Sequence, residues 1–80
     1  PEAVSAVKKY VAEKCGVSEG LVIVLSAYEK EWYDGCLGLG GPAESCIMAI
    51  TPGYEVTVQA SGVVEKYRTN TDGSQIRKEN

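Results

Sequence analysis

Tyr54-Glu55-Val56-Thr57-Val58-Gln59-Ala60 alternates apolar and polar side chains without a break. This is the period-2 signature of a strand with one face buried, and it predicts a strand over 54–60. On its upstream side Pro52-Gly53 predicts a tight turn. On its downstream side Ser61-Gly62 turns the chain into a strand over 63–69. Asp72-Gly73 is a type I′ hairpin signal ahead of a short last strand, 75–78. Upstream again, Cys46 to Thr51 predicts another strand. Leu21-Val22-Ile23-Val24-Leu25 opens a long one over about 21–32, expected to be buried on both sides at its start.

The chain before these strands has a different period. Val4, Val7, Val11 and Cys15 recur at helical spacing, with Ala3, Ala6 and Tyr10 on the shoulder and Lys8, Lys9, Glu13 and Lys14 opposite. That pattern predicts an amphipathic helix over 2–15, ended by Gly16 in the left-handed conformation, with Cys15 buried as a small apolar residue. The expected fold is α+β: one N-terminal helix laid across a four- to five-stranded antiparallel meander sheet.

Eighty residues make a single domain, 1–80, with no room for a second core. A chain this short buries about 60–65% of the surface of its unfolded form, so a covalent staple is expected to help. The net charge is −3 and the eight basic residues are scattered, which is a poor footprint for nucleic acid or for an anionic membrane surface. The longest purely apolar run, Leu21 to Leu25, falls far short of the roughly 20 residues that span a bilayer.

Between the first two expected strands lies Trp32-Tyr33-Asp34-Gly35-Cys36-Leu37-Gly38-Leu39-Gly40-Gly41-Pro42-Ala43-Glu44-Ser45-Cys46. A Cys36–Cys46 disulfide fits best, because the chain between them must fold back to join two strands. Cys15 then stays a free thiol. A disulfide points to an oxidising compartment, secreted or envelope-exposed. The alternative is a cytosolic protein with three reduced thiols, and a first residue Pro1, as initiator-methionine removal leaves it, keeps that reading open. The loop 34–45 is expected to project from the scaffold.

The motifs exclude more chemistry than they suggest. Without histidine there is no Ser-His-Asp or Cys-His catalysis and no His-ligated zinc. Three cysteines without a CxxC spacing argue against a thiolate metal site, so neither metal nor cofactor is expected. The glycines at 35, 38, 40 and 41 lack the Lys-Ser/Thr of a phosphate loop and serve backbone turning instead. Glu29, Glu31, Asp34 and Glu44 are the carboxylates available for acid–base work, but nothing in their spacing gathers them into a pocket.

From Pro52 onward a Tyr-x-Val-x-Val strand, a glycine turn, a second strand with Tyr67 and then Asn70-Thr71-Asp72-Gly73 resembles PepSY-like domains. That resemblance implies a helix on an antiparallel sheet and a role restraining secreted peptidases. It covers about the last 30 residues and, loosely, the helix; the Trp32–Cys46 insertion departs from it. Trp32-Tyr33-Asp34-Gly35-Cys36-Leu37-Gly38 is similar to segments of small bacterial envelope proteins, which implies location only. The order helix, strand, long loop, strand is also similar to potato-type serine-protease inhibitors, without their motifs. No catalytic residue is carried over from any of them.

The expected function is therefore non-enzymatic: a small secreted domain that presents the loop to a protein partner, with peptidase inhibition as its concrete form. Trp32, Tyr33, Leu37, Gly38, Leu39 and Pro42 are the candidate contact residues, with Leu37 or Leu39 offered to an apolar pocket. Neighbouring Trp32 and Tyr33 on a strand point to opposite faces, so one of them can instead pack as core. The rival is an assembly module in which a sheet edge, the short strand 75–78, pairs with another chain. A monomer is expected for the inhibitor.

Overall fold

The computed structural model describes residues 1–80 and shows one helix and a four-stranded antiparallel sheet. Helix α1 runs Glu2–Cys15. A single 3-10 turn, Glu19–Leu21, leads into β1 (Ile23–Trp32), followed by β2 (Thr51–Ala60), β3 (Val63–Asn70) and β4 (Ile76–Lys78). The strands lie in the order β1-β2-β3-β4, a simple meander.

The helix buries the stripe its sequence predicts. Ala3, Val7, Val11 and Ala12 are inside, and Val7, Val11 and Ala12 form one core with Val22, Val56, Val58, Ala60 and Tyr67. Gly16 takes φ 69° and lets the Val17 N–H reach back to the Ala12 carbonyl. Val17 then packs against the core, and Cys15 is exposed rather than buried. Tyr67 lies wholly inside, edge-on to Tyr10 with ring centroids 5.8 Å apart. Its hydroxyl donates to Glu65, and burial followed by that carboxylate raises its pKa.

Three expectations about the strands are corrected. Residues 46–50 form no strand. Pro52-Gly53 is not a turn but the second and third residues of β2, opposite Glu31 and Lys30 of β1. The start of β1 is not buried on both sides: Val22 is inside, but Leu21, Ile23 and Leu25 are at least half exposed. The meander order is the reason, because it places β1 at an edge of the sheet with helix on one face only.

Gly53 explains why a turn dipeptide sits in a central strand. Its backbone lies directly against the Thr69 carbonyl, and a Cβ there would collide with that oxygen and stand 2.8 Å from its carbon. The indole Nε1–H of Trp32 donates to the same oxygen at 2.9 Å. The Trp32 side chain thus reaches from β1 to a β3 carbonyl, the same one that leaves no room for a side chain on Gly53.

Candidate functional site

Residues 33–50 leave the end of β1 and return to the start of β2. They do not project from the scaffold. Tyr67 and Thr69 of β3 face the helix, so Arg68 between them faces the opposite side of the sheet. There its guanidinium carbon stands 4.5 Å from the Trp32 ring centroid, its Nη1 donates to the Leu37 carbonyl at 2.7 Å, and its Nε meets Glu79 at 2.9 Å. Arg77, its neighbour on β4, holds Glu44 with both terminal nitrogens, at 3.0 and 2.6 Å. The two cross-strand arginines would repel; each has a carboxylate partner instead, and together they fasten the loop onto the sheet.

Local chemistry shapes the first turn. The buried Asp34 accepts from the Cys36 and Gly38 N–H groups, both at 2.9 Å, and its carbonyl accepts from Leu37. Leu37 takes φ 60° and Gly38 φ 75°. A leucine in the left-handed region costs about 1–2 kcal/mol; here its side chain is fully buried, which offsets that strain. Cys36 and Cys46 form a disulfide with Cα atoms 5.5 Å apart. By chain entropy, closing so short a loop contributes about 3 kcal/mol. Asp34 and the two sulfurs lie within 4.8 Å of one another, a metal-like spacing. Both sulfurs are spent in the disulfide and the carboxylate is spent on backbone N–H groups, so the trio is structural.

The Arg77 guanidinium, followed by the Gly41 N–H, holds the Glu44 carboxyl down to about 2. A carboxylate whose pKa is lower folded than unfolded stabilises above its unfolded value, near 4.5, and loses that contribution as pH falls toward 2. In the folded protein we expect the Glu44–Arg77 contact to persist down to about pH 2, where the carboxylate itself takes up its proton. The Glu44 side-chain carbonyl shift, followed by NMR, checks this, and Glu44→Gln should remove this part of the acid sensitivity.

The candidate contact residues separate into two sets. Trp32 is buried and Leu37 fully so, which corrects the expectation that Leu37 is offered to a partner. Gly38 lies half-buried under Tyr33, whose ring edge stands 3.2 Å from where a Cβ would be. Leu39 is half-buried, Pro42 is exposed, and Tyr33 is 64% exposed. The disulfide holds one end of a different apolar segment. Ile47, Met48 and Ile50 are 76%, 80% and 63% exposed. The Ile47 carbonyl accepts from the Gly35 N–H at 2.7 Å and, around Met48, from the Ala49 N–H at 2.9 Å. Thr51 Oγ1 donates to Ala49 and begins β2. The segment is thus a fixed knuckle with Met48 at its apex. Its four consecutive apolar residues do not alternate, a signal against a half-buried strand that the prediction of one at 46–51 passed over.

No carboxylate pair converges on this knuckle. Glu29 and Glu31 line an open depression of about 540 Å³ with Tyr54 and Thr71 on the helix side of the sheet, and both are exposed. No helix is long and apolar enough to cross a membrane. Residues 4–78 match the model of a domain family of unknown function (DUF8738), and the chain belongs to that family. No curated protein and no solved structure matches it.

Proposed function

We propose that this family member is a non-enzymatic, secreted or envelope-exposed domain that presents the Ile47–Ile50 knuckle to a protein partner, most concretely a peptidase. The observation that carries the reading is the exposure of three large apolar side chains on a segment fixed at both ends. Isolated surface leucines or valines need no explanation, but a contiguous apolar group of this kind marks an interaction site. A pre-fixed segment loses little conformational freedom on binding, and the Cys36–Cys46 bond anchors the residue at its start. Met48, unbranched and polarizable at the apex, suits an apolar specificity pocket.

The test titrates serine, cysteine and metallo-peptidases with the oxidised protein and with Met48→Asp. Met48 is 80% exposed, so the variant should keep its melting temperature within the spread of ordinary surface changes, about 0.5 kcal/mol. The expected result is stoichiometric loss of activity in one class, weakened at least about 30-fold by the substitution, the size of a hot-spot contact. Rapid cleavage at 47–50 with no inhibition overturns the peptidase form. The protein-binding reading itself falls if capture on the immobilised domain retains nothing that Met48→Asp loses.

A further inference from the structure

The meander leaves β1, all ten residues of it, at an open edge of the sheet. The other edge, β4, has three residues, so the edge expected at 75–78 to take up a partner is the lesser of the two. Along β1, Ile23, Leu25 and Tyr28 are 54%, 50% and 61% exposed. A long edge strand with apolar side chains is a template for another strand. Only a register shift between Val24 and Ser26 and the charged run Glu29-Lys30-Glu31 interrupt it.

We infer that β1 pairs antiparallel with β1 of a second copy of this chain, about a two-fold axis at Tyr28, joining the two sheets into one of eight strands. The charge pattern accommodates a second copy as the occupant and selects its register. Centred on Tyr28, Glu29 faces Ala27, Lys30 faces Ser26 and Glu31 faces Leu25, so each charge meets a neutral residue. Centred on Glu29 or Lys30, like charges stand directly opposite one another, which is destabilising. The Tyr28 register also sets the two tyrosines side by side, with each Lys30 diagonal to the partner copy's Tyr28, within reach of its ring. A register centred on Ala27 avoids like charges too, but sets Lys30 against Val24 and forfeits both aromatic contacts. This pairing uses the edge and not the knuckle, so it stands independently of the peptidase reading and would display two knuckles per assembly.

Sedimentation equilibrium of the oxidised protein, from about 1 µM to about 1 mM, spans the affinities expected of an edge-paired dimer. A monomer–dimer equilibrium is expected. Tyr28→Lys, a change at an exposed position that places two ammonium groups face to face, should weaken it at least about tenfold, whereas Met48→Asp should leave it unchanged. In a Cys15→Ser background, Tyr28→Cys should give a disulfide-linked dimer on mild oxidation, because directly opposite antiparallel positions lie about 4.5–5.5 Å apart, within bridging range. A monomer at every concentration overturns the inference. So does a dimer indifferent to Tyr28→Lys, or a Tyr28→Cys protein that does not cross-link.

Discussion

Gly53→Ala is expected to cost about 3 kcal/mol or more, the upper end of overpacking penalties, because the added methyl collides with strand backbone rather than with a side chain that could turn away. In a domain of 80 residues that is a fall in melting temperature of about 12–24 °C. The nearest atoms belong to Thr69 and the Asn70 Cα, both fixed in β3, so relief requires prising β2 from β3. It would also displace the Thr69 carbonyl from Trp32 Nε1. Thermal unfolding followed by Trp32 fluorescence checks both effects, since the only tryptophan reports on its own hydrogen bond. A loss below about 1 kcal/mol, the cost of an ordinary strand substitution, would contradict this account of the glycine.

Leu37→Ala is the second large effect. A fully buried leucine truncated to alanine costs about 2–5 kcal/mol, and Leu37 has no exposed surface. Leu37→Gly makes the prediction sharper. At φ 60° a glycine sheds the left-handed strain that alanine retains. The usual order, in which glycine is the worse replacement, should therefore be reversed or abolished here. Chemical denaturation of the two variants side by side decides it. If Leu37→Ala leaves stability unchanged, the leucine is not a packing residue and the partner-contact role assigned on sequence grounds regains its footing.

Those two residues also show where sequence reasoning succeeded and failed. The helix, the Tyr54–Ala60 strand and the hairpin at Ser61-Gly62 were legible because each is written in a local period or a turn dipeptide. Pro52-Gly53 misled for the same reason: the pair is a strong turn signal, and what overrode it was the close approach of Gly53 to the β3 backbone at Thr69. A glycine at the foot of an alternating run can equally mean close backbone approach. The direction in which the loop folds had no local signal at all. It depends on Arg68 and Arg77, which in sequence are two basic residues among eight. Once the loop lies down, Leu37 is buried, and the exposed apolar surface passes to Ile47, Met48 and Ile50. The Cys36–Cys46 pairing was legible, because chain reversal between strands required the two ends to meet.

The bonds that lay the loop against the sheet have one further consequence, which concerns order in time. Leu37 is fastened by a residue 31 positions later, Glu44 by one 33 later, and the Trp32 indole by one 37 later. Contacts between such distant positions form after local ones, because the intervening chain must first be gathered. During synthesis both cysteines and the whole apolar knuckle emerge ahead of Arg68 and Arg77. For that interval the segment that ends as a fixed apolar display lacks the bonds that lay the loop down, and is free to stick to a neighbouring nascent chain. The ten-residue spacing of Cys36 and Cys46 suits that interval, since so short a ring can close before anything downstream is free to hold it.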